Sequence, residues 1–130
     1  VSAVKALGHE ILDFGTHSQE PVDYADFGAS AAKAVAAGEA DLGIVICGTG
    51  IGISIAANKI RGIRAALCSD TYSARMSREH NNANVLALGA RVVGPGLAEE
   101  IVKIFLTTEF AGGRHASRVA KISALEDKQS

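Results

Sequence analysis

Positions 42–47 read Leu-Gly-Ile-Val-Ile-Cys, and the five residues that follow, Gly48-Thr49-Gly50-Ile51-Gly52, carry three glycines. A strand with one face in water alternates apolar and polar residues. A continuous apolar run belongs to a strand covered on both faces, as in parallel sheets with helices above and below. Two further runs have the same character, Arg64-Ala65-Ala66-Leu67-Cys68 and Asn84-Val85-Leu86-Ala87-Leu88-Gly89, and a shorter one, Glu10-Ile11-Leu12-Asp13-Phe14, precedes them. Between the runs lie Ala-rich stretches with helical spacing. Residues 1–7 read as the end of a helix stopped by Gly8, and Asp23 or Tyr24 opens a helix through Phe27, Ala31, Ala34 and Val35 to Gly38. Helices are also predicted over 53–58, over 71–79 with Ser69 or Asp70 as N-cap, along Leu97, Ile101, Ile104 and Phe105, and over 114–125. Residues 126–130 read as a polar tail. Strand alternating with helix predicts one α/β domain over 1–130, a Rossmann-like three-layer α/β/α sandwich around a parallel sheet of about five strands.

Composition removes several classes of function. The chain has 130 residues, 48% of them hydrophobic, which suits a single globular domain rather than a disordered segment. Thirteen Lys+Arg against 14 Asp+Glu leave a net charge of −1, so no general basic surface invites nucleic acid or anionic lipid. No apolar stretch is long enough to cross a membrane, and the N-terminus lacks the basic-then-apolar order of a signal peptide. Cys47 and Cys68 are the two cysteines, with no Cys-x-x-Cys or Cys/His metal spacing. These features predict a cytoplasmic protein with no metal site.

In open parallel sheets, ligands bind beyond the carboxyl ends of the strands. That rule directs attention to Cys47 and its glycines. Glycines let backbone N–H groups converge without an intervening Cβ, and at a helix N-terminus such donors form an anion site. The run is neither a P-loop nor GxGxxG, since no Gly-Lys-Ser/Thr follows and position 53 is Ile. Thiols beside such donors ionise more readily than ordinary ones. Two readings of Cys47 therefore stand: a small buried hydrophobe, or a base or nucleophile beside an oxyanion-stabilising loop. Cys68, followed only by Ser-Asp, reads as structural.

Arg78-Glu79-His80-Asn81-Asn82 joins a helix to a strand. His80 suits proton transfer, and equally such side chains solvate a loop or satisfy helix-end carbonyls. His9 and His17 read as surface residues. Arg114 and Arg118 lie four apart on one helical face, a like-charge pairing that costs a few tenths of a kcal/mol in a free helix. A shared phosphate would reverse that cost through bidentate hydrogen bonds; a solvated basic face is the alternative.

The stretch Cys47-Gly48-Thr49-Gly50-Ile51-Gly52-Ile53-Ser54-Ile55-Ala56-Ala57-Asn58-Lys59 resembles the core motif of type B ribose-5-phosphate isomerases. Arg64 to Cys68, Ser73-Ala74-Arg75-Met76, Glu79-His80-Asn81, Asn84 to Arg91, and Gly112-Gly113-Arg114-His115 with Arg118 continue the likeness along nearly the whole chain. The resemblance implies interconversion of ribose 5-phosphate and ribulose 5-phosphate, without metal or cofactor, through an enediolate. Carried over by position, Cys47 is the base at C2, and Gly48, Gly50 and Gly52 belong to the anion hole. Thr49 moves protons between the oxygens, and His80 assists opening of the furanose. Asn81 holds hydroxyls, Tyr24 lies against the sugar, and Arg114 and Arg118 grip the phosphate, reaching into a partner's site. A homodimer or dimer of dimers with sites at the subunit interface is implied.

Members of that family begin with a strand ending in Asp-His-Ala-Gly, whereas the likeness here starts inside the first helix. The expectation is a polypeptide with about 15–20 more N-terminal residues, enough for a strand and half a helix. Two alternatives stay open: isomerisation of galactose 6-phosphate or allose 6-phosphate, and a non-catalytic phosphate-binding α/β module.

Overall fold

The computed structural model describes residues 24–128. Within them the elements run α1 (Tyr24–Ala36), β1 (Gly43–Cys47), α2 (Ile51–Asn58), β2 (Ala65–Leu67), α3 (Thr71–Glu79), β3 (Val85–Gly89), α4 (Pro95–Thr107) and α5 (Arg114–Asp127). The predicted helix over 1–7 and strand over 10–14 lie outside the described residues. The three described strands are parallel in the order β1-β3-β2, with Gly43 opposite Val85, Cys47 opposite Gly89, and Ala65 opposite Val85.

β3 is the strand covered on both faces. All five of its residues are buried. Strand alternation sends Leu86 and Leu88 into one core with Cys68, Ala74, Ile101, Val102 and Phe105. Val85 and Ala87 pack the other face with Ala32, Val45, Ile53, Ala57 and Ile63. Helices α1 and α2 thus form one layer and α3 and α4 the other, the predicted three-layer sandwich. β1 departs from the reading of its run as wholly covered: it is an edge of the described sheet, and Ile46 near its carboxyl end is 56% exposed.

Local chemistry sets the helix ends. α2 begins two residues earlier than predicted, because Gly50 takes a left-handed φ of 81° at the N-cap and its carbonyl accepts the first helical bond, from the Ser54 N–H at 3.1 Å. α3 starts at the predicted cap: Asp70 Oδ1 accepts from the Ser73 N–H at 2.6 Å. α5 runs through Glu126 and Asp127, the start of the stretch read as a polar tail. Those residues are polar but anchored. Arg61 Nη1 donates to Asp127 Oδ1 at 2.6 Å, and the Gly62 N–H donates to Glu126 Oε1 at 2.9 Å.

Two asparagines substitute for backbone. Asn84 Oδ1 accepts from the Arg64 N–H at 2.7 Å while its Nδ2 donates to the Gly62 carbonyl at 2.9 Å. Asn58 uses both ends of its carboxamide on Ala65, accepting from the N–H at 2.8 Å and donating to the carbonyl at 3.0 Å. Among the described residues, no helix is long and apolar enough to cross a membrane.

Candidate active site in two halves

At the carboxyl end of the sheet, β1 delivers Cys47 into the glycine turn. The thiol is half-buried, and the Gly50 N–H donates to its sulfur at 3.2 Å. The Ile51 N–H donates to Thr49 Oγ1 at 3.2 Å, and Thr49 is exposed. Gly52 sits in the first turn of α2, where backbone N–H groups have no partner within the helix. The turn's path is fixed by close approach. A Cβ on Gly50 would meet Leu67 Cδ1 at 2.5 Å and the Leu88 carbonyl carbon at 2.9 Å, and one on Gly89 would run into the backbone of Thr49. The Ala90 N–H donates to the Cys47 carbonyl at 2.8 Å and the Arg91 N–H to the Gly48 carbonyl at 2.9 Å, so the ends of β1 and β3 are tied together.

Arg91 belongs to this half and the sequence reading passed over it. Its Cδ and Nε lie 3.7 and 3.9 Å from where a Cβ on Gly48 would stand, which lays an exposed guanidinium stem along the turn. The signal was available: an arginine two residues past the carboxyl end of a parallel strand stands where such sheets bind ligands.

His80, Asn81, Arg114 and Arg118 lie elsewhere. α3 leaves the carboxyl end of β2 and returns the chain to the amino end of β3, so His80, at the C-cap of α3, stands at the amino end of the sheet. A five-residue strand spans about 15 Å, more than a side chain can bridge, so these residues and Cys47 do not meet within one chain. Tyr24 opens α1; its side chain lies outside what is described.

The amino-end half is assembled around one arginine. Arg78 donates from Nε to the Thr108 carbonyl at 3.1 Å and from Nη1 to the Ala83 carbonyl, with its guanidinium carbon 5.6 Å from the centre of the Phe105 ring. It joins the end of α4 to the loop after His80, where Asn82 adopts a left-handed φ of 48°. The Ala111 N–H then donates to the Glu79 carbonyl at 3.1 Å, bringing the start of α5 back over α3. In consequence His80 and His115 stack, ring centres 4.1 Å apart and planes 13° from parallel. Desolvation, followed by the neighbouring His80, Arg114 and Arg118, holds the His115 pKa below its ordinary value against an opposing pull from Glu79. Arg114 and Arg118 are exposed on the first turns of the same helix.

Cys68 is 2% exposed, and burial pushes its thiol pKa up against a lowering hydrogen bond from Ser77, which fits its structural reading. Among the described residues no group of three His, Cys, Asp or Glu side chains could hold a metal ion.

The sequence model of the ribose/galactose isomerase family matches residues 1–122. Ribose-5-phosphate isomerase B of Escherichia coli is 54% identical over 123 residues, covering 95% of this chain and 83% of that protein. The structure of Clostridium thermocellum ribose-5-phosphate isomerase B superposes with a TM-score of 0.97 at 63% identity, covering 99% of this chain and 87% of the other. That of the Mycoplasma genitalium enzyme with bound ribulose-5-phosphate gives 0.92 at 40% identity, covering 97% and 84%.

Proposed function

Because the chain belongs to the ribose/galactose isomerase family, we propose that this sugar-phosphate isomerase interconverts ribose 5-phosphate and ribulose 5-phosphate with Cys47 as the proton-transfer base. The observation that supports the cysteine's role is the Gly50 N–H, which donates to its sulfur at 3.2 Å from within the glycine turn. His80 opens the furanose of the aldose. The Cys47 thiolate then removes the proton from C2, the C1=O double bond becomes a C1–O⁻ of an enediolate, and the proton returns to C1 as the carbonyl forms at C2. Negative charge develops on O1 beside the turn of Gly48, Gly50 and Gly52, where preorganised donors contribute most; the Gly50 N–H is already given to the sulfur, so it serves the thiolate and leaves O1 to the others. Thr49, exposed beside them, relays the proton between O1 and O2.

The separation of the two halves supports a site completed by a second copy. One copy contributes Cys47, Thr49, the glycines and Arg91, and the other contributes His80, Asn81, Arg114 and Arg118. The exposed apolar side chains of Ile46, Ile51, Ile55 and Val92 surround the carboxyl-end half and suit burial against that copy. Arg114 and Arg118 take the phosphate by bidentate hydrogen bonds.

The test is an isomerisation assay comparing ribose 5-phosphate with galactose 6-phosphate and allose 6-phosphate by kcat/KM, run alongside Cys47→Ala. The expected result is a preference for the pentose and loss of turnover in the variant with phosphosugar still bound. Full turnover by Cys47→Ala overturns the cysteine mechanism, and a preference for a hexose phosphate overturns the substrate.

A further inference from the structure

We propose that His115 is a positioning residue for this isomerase, its imidazole stacking on one face of His80 to fix the ring plane from which His80 serves the sugar. The inference rests on His80 as the ring-opening group, and it concerns a neighbour that would itself touch no reacting atom. Stacking uses the face of the His80 ring and leaves both edge nitrogens free for a ring oxygen or hydroxyl. Among the described residues neither imidazole has a hydrogen bond to orient it, so the stack is the contact that sets the ring's tilt.

The stack is itself supported. Arg78 fixes the Thr108 and Ala83 carbonyls, and the Ala111 N–H holds the Glu79 carbonyl, so the segment leading to His115 is fastened to the helix that ends at His80. Charge works in the same direction. His115 faces His80, Arg114 and Arg118 with Glu79 alone opposing them, so His115 stacks in its neutral form. At low pH a proton on His115 would sit against those three neighbours and loosen the stack.

The two substrates separate this role from the others. Ribose 5-phosphate is chiefly a closed furanose, whereas ribulose 5-phosphate, with its O5 phosphorylated, has no five-membered ring to open. Solvent-deuterium incorporation at C1 of ribulose 5-phosphate therefore reports the proton-transfer half alone. His115→Ala is expected to lower kcat on ribose 5-phosphate about tenfold, with KM and the deuterium incorporation each within about twofold of wild type. His115→Phe keeps a ring face against His80. It should recover kcat to within about threefold of wild type and hold its rate to lower pH, having no proton to gain.

A His115→Ala enzyme with wild-type kcat overturns the proposal. So does a rise in KM alone, which would make His115 a binding group, and so does a His115→Phe enzyme as slow as His115→Ala. If His115→Ala does not fold, the His115→Phe profile decides, and an acid limb identical to wild type overturns the proposal. Wild-type protein that neither turns over ribose 5-phosphate nor incorporates deuterium refutes the isomerase reading itself, a result distinct from active wild type with indifferent His115 variants.

Discussion

The carboxyl and amino ends of the sheet are built by opposite means. At the carboxyl end the proposed working parts are short and close to the backbone: the Cys47 thiol, the Thr49 hydroxyl and N–H groups of a turn whose course is dictated by Gly50 against Leu88 and Gly89 against Thr49. At the amino end the proposed parts are longer side chains, His80, Asn81, Arg114 and Arg118, carried on helix ends held by Arg78 and by a backbone hydrogen bond from Ala111 to Glu79. The first arrangement fits charge that develops at one fixed point and moves little. The second fits a phosphate and a sugar ring that must be captured, turned and released. Rigid groups belong where the transition state is stabilised, adaptable ones where the ground state is gathered.

That contrast is most sharply tested at Cys47. Cys47→Ala should lower kcat by about 10²- to 10⁴-fold, the usual worth of a proton-transfer group, with little change in phosphosugar affinity by calorimetry. Gly89→Ala should cost kcat/KM on the order of a hundredfold, because the new methyl displaces the Thr49 backbone and with it every donor of the turn. A Gly89→Ala enzyme of normal activity would mean that the turn is as adaptable as the other end. Arg114→Ala should raise KM about tenfold and leave kcat nearly unchanged.

The proposed placement across two copies yields a smaller but distinctive signal. Cys47→Ala and His80→Ala proteins, each inactive, should regain about a quarter of wild-type activity when mixed by unfolding and refolding, since half the dimers are mixed and hold one intact site of two. No recovery would return both halves to one chain. The smallest effect concerns acid stability. The His115 pKa is lowered on folding, so the unfolded chain takes up the proton more readily as pH falls through the histidine value of 6.5. The stability contributed by neutral His115 is present above that range and lost below it. The urea midpoint of wild type should accordingly fall further between pH 7.5 and 5.5 than that of His115→Phe, and equal falls would remove His115 from the account.

Much of this was legible in the residues. The apolar runs ending at Cys47, Cys68 and Gly89 predicted the three described strands, although burial on both faces, the reason for expecting them, holds in full only for β3. Of the two caps predicted for α3, Ser69 and Asp70, Asp70 is the one that caps it, through its carboxylate oxygen. The start of α2 was two residues off because Gly50 closes the turn by a left-handed backbone that spacing does not encode. The distance between Cys47 and His80 was implicit in the topology, since a helix between parallel strands carries the chain from one end to the other. The His80–His115 stack was not legible. It depends on a return of the chain across α3, fastened by Arg78 through carbonyls of residues with no pattern of their own.

The carboxamide of Asn58 has a consequence for the protein's behaviour at high concentration. Ala65 bonds on the side of β2 away from β3, so its N–H and carbonyl would form a berth for an intruding strand. Asn58 fills that berth with two hydrogen bonds. Any chain seeking to extend the sheet there must first evict a partner already seated, so Asn58 blunts this edge at Ala65.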